Sequence, residues 1–174
     1  MFAGKVALDV AFLLATADAY GQSISSTIQK TEKIGNWNAA QILASEPSIF
    51  VTLPSNDGKA IFAIKCLTNL KRWTILLTVP GGSFFQRGTF EMTLKEPRGA
   101  VAQTKLYWQA SDTLYAFFDR DKSAVFQTVR WFTIFETLDL LIKQQFPDPE
   151  LNFQFTTAGA KTATAIPVAR CSPN

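Results

Sequence analysis

The residues of this chain whose types could do chemistry are two cysteines, fourteen carboxylates and a pair of adjacent phenylalanines close to an arginine; none of the 174 residues is His. Without imidazole there is no Ser-His-Asp or Cys-His catalysis and no His-ligated zinc site. Cys66 and Cys171 have neither the Cys-x-x-Cys spacing nor a helix start beside them to lower a thiol pKa, so redox or nucleophilic work is not their expected role. In an oxidising compartment an even pair is expected to be bridged, closing a loop over most of the chain. Asp119-Arg-Asp121-Lys-Ser123 places oxygen ligands at the first, third and fifth positions of a calcium loop. The match then fails, because Ala124 stands where the turn glycine belongs and Arg130 where the closing Glu belongs. Its acids are expected instead at the positive end of a following helix. Glu91, Glu96, Asp112 and Asp119 could supply the two placed acids of a glycan or cell-wall hydrolase. No motif singles out a pair, so no catalytic residue, metal or cofactor is expected. Asp148 and Glu150 around Pro149 fit a solvated turn.

The strongest contact signal is Phe84-Phe85 with Arg87, in a loop flanked by Gly81, Gly82 and Gly88. Aromatic and Arg side chains anchor interfaces, and the glycines make the backbone permissive. At least one of the two rings is expected at the surface, with Arg87 as a polar anchor for an envelope protein or an anionic envelope surface. The competing expectation is that both rings plug the end of the fold. Lys71-Arg72-Trp73 also joins basic groups to an aromatic, but Trp73 falls on the apolar side of its segment and is expected in the core.

The elements that must position these residues follow from periodicity. Apolar residues make up 47% of the chain, aromatics 13% and charged residues 18%, a composition that folds. The charge of +3 is spread without a basic block, which argues against a nucleic-acid surface. Lys59 to Cys66 and Arg72 to Val79 alternate with period two and form the central hairpin, with Trp73, Ile75, Leu77 and Val79 on one face. Ser48 to Leu53, Thr89 to Lys95, Val101 to Trp108, Leu114 to Phe118 and Leu151 to Thr156 are further strands, and Ile34 to Ala44 opens the fold more weakly. Asp57-Gly58, Pro80-Gly81-Gly82 and Pro97-Arg-Gly99 mark turns.

Between Asp121 and Phe146 the spacing changes to three and four, predicting an amphipathic helix near residues 123–145, capped by Asp121 or Ser123 and stopped by Pro147. A strand up to Phe135 followed by a shorter helix is the alternative. Thr162 to Arg170 is expected as a last edge strand, since Pro167 cannot donate to a ladder. The fold class is mainly β (α+β): an antiparallel β-sandwich or half-barrel carrying one helix.

Residues 1–19 have the form of an export signal. Lys5 precedes the apolar Val6 to Ala17, too short to span a bilayer, and Ala17-Asp-Ala19 offers a cleavage site, although Asp9 weakens insertion. The alternative is an ordinary amphipathic helix. Residues 20–33 are polar, expected as a flexible leader or edge segment, and 34–174 form a single β-rich domain. No transmembrane anchor is expected in the mature form.

The order of an exported start, Ala63-Ile-Lys-Cys66, Ile75-Leu-Leu-Thr-Val79, Tyr107-Trp108-Gln-Ala-Ser-Asp112 before Ala116-Phe-Phe118, and a closing Cys171 resembles the small exported accessory proteins of bacterial type VI secretion systems. A Gly35-Asn-Trp37 opening and a Val79-Pro-Gly81 loop also resemble the bacterial invasion-associated exported proteins, whose internal cysteines this chain lacks. Both resemblances imply a non-catalytic β domain in the periplasm or outside the cell.

Overall fold

A computed structural model describes residues 27–43, 47–81, 84, 87–117, 122–143 and 150–171. Its elements run β1 (Thr27–Ile34), β2 (Trp37–Leu43), β3 (Ser48–Pro54), β4 (Ile61–Leu67), β5 (Arg72–Thr78), β6 (Thr89–Lys95), β7 (Val101–Ala110), β8 (Thr113–Phe117), α1 (Lys122–Ile134), β9 (Thr137–Lys143), β10 (Glu150–Thr156) and α2 (Ala160–Cys171). The fold is mainly β of the α+β class, with all ten strands in one antiparallel sheet ordered β1-β2-β3-β4-β5-β8-β7-β6-β9-β10. The expected central hairpin, β4 and β5, lies at the middle of that order. Residues 27–33 of the segment read as a flexible leader or edge segment belong, with Ile34, to the edge strand β1.

The sheet curls until its last strand reaches the turns of its first ones, which is the half-barrel form. Asn36 N donates to Ala158 O at 3.0 Å, Asn56 N to Gln154 O at 2.7 Å and Trp37 Nε1 to Thr157 O at 3.3 Å. At this seam Gly35 (φ +60°) and Gly159 (φ +87°) pass backbone to backbone. A Cβ on Gly35 would run into the Ala158 carbonyl, and one on Gly159 into the Ile34 carbonyl. The β3–β4 turn is held by Asp57 Oδ1, which accepts from Ser55 Oγ at 2.7 Å and Lys59 N at 3.1 Å. These bonds hold the exposed Asp57 carboxyl below its ordinary pKa.

Inside the curl, one face of the strands and both helices share a single core. Phe62 of β4 and Phe132 of α1 stack at 4.1 Å, and Trp37 and Phe155 meet Phe132 edge-on at 6.0 and 5.8 Å. Phe132 thus joins the first strands, the last strands and a helix. Phe132→Ala is expected to cost about 3–5 kcal/mol in a denaturant melt, from lost burial and the cavity left behind.

The helices depart from expectation. The predicted helix near residues 123–145 ends at Ile134, and its second half is strand β9, the reverse order of the alternative considered. Leu138, Leu140 and Ile142 also alternate, and β6 offers partners for them, with Leu94 opposite Leu140 and Met92 opposite Ile142. The expected last strand, Thr162 to Arg170, is instead helix α2. Its buried residues, Ala160, Ala163, Thr164, Pro167 and Cys171, recur at helical spacing, and Pro167 sits within the helix. Asp119, Asp121, Pro147 and Asp148 lie outside the described residues, as do residues 1–19.

Candidate contact surface

Cys66, near the end of β4, and Cys171, the last residue of α2, are bonded with Cα atoms 6.0 Å apart and a sequence separation of 105. Both are fully buried. The bond fastens the C-terminal helix over the middle of the sheet, so these cysteines are structural.

At the opposite end of β5 the loop between β5 and β6 is pinned to the β7–β8 turn. Val79 N donates to Asp112 O at 2.7 Å, Phe84 N to Ser111 O at 2.7 Å, and Trp108 N to Gly88 O at 2.9 Å. Trp108 Nε1 donates to Phe84 O at 3.0 Å. Gly81 (φ +96°) and Gly88 (φ +144°) allow the loop its path. Phe84 is fully buried, edge-on to Phe90 at 5.4 Å, and closes this end of the core. The plug expectation therefore describes Phe84, while Phe85 lies outside the described residues. Arg87 is exposed, its guanidinium 5.0 Å from the ring of half-buried Trp108. That stacking fixes a cation beside an aromatic at the surface. Trp108 is the partner that sequence reading missed: its place in a strand was legible, its contacts with Phe84 and Arg87 of an earlier loop were not. Trp73 is buried in the core, as expected.

Among the described residues the candidate acids do not converge. Glu96 and Asp112 stand beyond opposite ends of β7, a strand of about 30 Å. Glu91 lies on the outer face of β6, opposite Lys105 and Lys143 in register. Asp119 is outside the described residues. No pair among Glu91, Glu96 and Asp112 flanks a common space as a hydrolase requires. Among the described residues no group of three or more Cys, Asp or Glu could hold a metal.

A groove of about 440 Å³ opens between the end of α1 and the start of α2, lined by Thr133, Ile134, Glu136, Thr157, Lys161 and neighbouring residues. It offers one carboxylate, one ammonium and several hydroxyls around the exposed Ile134, but no acid pair.

No family model matches the chain, and no curated protein matches it. Among solved structures it is similar to the crystal structure of invasion associated protein B from Bartonella henselae, with a TM-score of 0.54 and 17% identity over 81% of this chain and 97% of that one. That likeness is one of fold. Among the described residues no helix is long and apolar enough to cross a membrane.

Proposed function

We propose that this chain is an exported accessory protein of the cell envelope that works by binding, without catalysis. The Cys66–Cys171 bond carries the reading, because structural disulfides persist in oxidising compartments. The fold shared with invasion associated protein B, a protein named for invasion, supports it. Residues 1–19 supply the export signal in this reading, and the mature chain begins near Tyr20 or Gln22. N-terminal sequencing of protein recovered from its host checks this; an intact Met1 on the folded, oxidised protein would overturn it.

The contact surface is the loop end carrying Arg87 on Trp108, with Phe85, two residues before Arg87 in the sequence, assigned to it in this reading, and the partner is an envelope protein or an anionic envelope surface. Sequence resemblance to type VI accessory proteins points to a secretion-system partner, to be sought by co-purification with a tagged, processed form. Arg87→Ala is expected to reduce recovery of the partner while changing stability by no more than about 0.5 kcal/mol, as for an exposed side chain. Phe84→Ala should instead cost about 3–5 kcal/mol through the core. Unchanged partner recovery with Arg87→Ala would take the surface away from this loop.

A further inference from the structure

The sheet ends on two unlike edges. β10 is engaged along its outer side, because Gln154 O accepts from Asn56 N at 2.7 Å and Thr156 O from Asn36 Nδ2 at 2.9 Å, both donors standing in turns of the first strands. β1 is open: among the described residues no strand and no hydrogen bond reaches its outer side. Ile34 and Trp37 flank the two-residue turn Gly35-Asn36 and so close the β1–β2 hairpin as a hydrogen-bonded pair. Alternation from that pair turns the backbone N–H and C=O of Thr31 and Lys33 away from β2, toward the open edge. Lys30, Thr31, Glu32 and Lys33 are all exposed, and a β-bulge between Ile28 and Lys30 limits the regular run of the strand to residues 30–34.

Charges blunt such an edge, because an arbitrary strand laid against it leaves them unmatched. One strand does match them, and it is β1 itself. A two-fold axis perpendicular to an antiparallel pair sets one residue opposite its own copy, so each self-pairing register is named by that residue. Centring on Lys30, Glu32 or Lys33 sets like charges face to face, which is destabilising. Centring on Thr31 sets Thr against Thr, Lys30 against Glu32 of the second copy, and Glu32 against Lys30 of that copy. Within the chain Lys30 Nζ and Glu32 Oε2 already lie 3.4 Å apart on one face, with 72% and 51% of the side chains exposed and so free to meet another strand. The charges of two such strands then form a square in which each neighbour, along the strand or across it, has the opposite sign. The same register opposes the outward backbone groups of the two Thr31 residues and brings Lys33 against Gln29, beside the bulge. We propose that two copies of this chain pair along β1, antiparallel and centred on Thr31, so that their sheets become one continuous sheet.

The test follows the oxidised protein, purified from its host, by sedimentation velocity over a concentration series. The expected result is a monomer–dimer equilibrium. Lys30→Glu should weaken it about tenfold, because both cross-strand ion pairs become carboxylate against carboxylate, and adding Glu32→Lys in the same chain should restore it by reversing both signs. Thr31→Pro takes a donor from the open edge alone, so it should abolish the dimer while the far-ultraviolet circular dichroism stays unchanged. Cysteine variants read the register. In Thr31→Cys the new thiols stand on opposed residues with Cα atoms about 5.5 Å apart and should bond on air oxidation; in Lys33→Cys they lie about 14 Å apart along the pair and should not. A protein that stays monomeric throughout the series would overturn the proposal. So would a dimer indifferent to Lys30→Glu or Thr31→Pro, a double reversal that restores nothing, or faster bonding in Lys33→Cys than in Thr31→Cys.

Discussion

Replacing Cys66 and Cys171 together by Ala lowers the stability of the oxidised protein by about 4–5 kcal/mol in the chain-entropy account, an upper figure for a loop of this length. For a domain of this size that is a fall of about 10–15 °C in Tm. Ala is the better substitution because both positions are fully buried, and a serine hydroxyl there would add a burial cost of its own. Most of the effect should lie in the unfolded chain, which gains freedom when the tie is cut. The folded state changes chiefly in α2, whose apolar contribution is mostly Ala and whose last residue is the tie itself. Denaturant melts with and without reductant check this: the native protein should lose about the same stability on reduction as the double variant lacks, and the variant should ignore reductant. An unchanged midpoint would show that the bond constrains nothing.

Gly35→Ala and Gly159→Ala are each expected to cost about 2–5 kcal/mol. About 1–2 comes from placing a side chain in the left-handed region, and about 1–3 from overpacking a site that cannot yield. The obstacle at both positions is backbone carbonyl, from Ala158 or Ile34, which cannot rotate away. Gly58→Ala is the control, because Gly58 also has a positive φ, +72°, but an added Cβ there meets nothing within 4 Å. It should cost only the conformational part, about 1–2 kcal/mol. Equal losses at Gly35, Gly159 and Gly58 would show that the seam is not the tight point of the fold.

The strands were legible where one face is core and the other is not. Phe90, Met92 and Leu94 against Glu91, Thr93 and Lys95 identify β6 with the boundaries found. β9 was hidden because Phe132, Phe135, Leu138 and Leu141 continue a helical spacing straight through a change of element; only its pairing with β6 and β10 selects the alternation of Leu138, Leu140 and Ile142. α2 was hidden for the opposite reason. Its buried side is built from Ala, Thr and Pro, which carry little helical signal, while Thr162, Thr164, Ile166 and Val168 favour strand. The helix exists because the Gly159 turn starts it and Cys171 anchors its end. The cysteine tie itself was readable from count and spacing. The Arg87–Trp108 contact was not, because it joins two chain segments that only the sheet order brings together.

That sheet order also sets a schedule. Each of β2, β3, β4 and β5 pairs with the strand just made before it, but the free edge of β5 is met by β8, which follows β6 and β7. A chain emerging at about 5–20 residues per second leaves that edge open for several seconds. The sequence it presents is Trp73-Thr-Ile-Leu-Leu-Thr78, apolar, rich in strand formers and without a charge, which is the kind of edge that recruits other chains. Lys71 and Arg72 stand immediately before it, where like charges on neighbouring chains repel. Their contribution belongs less to the finished fold than to the interval before β8 arrives.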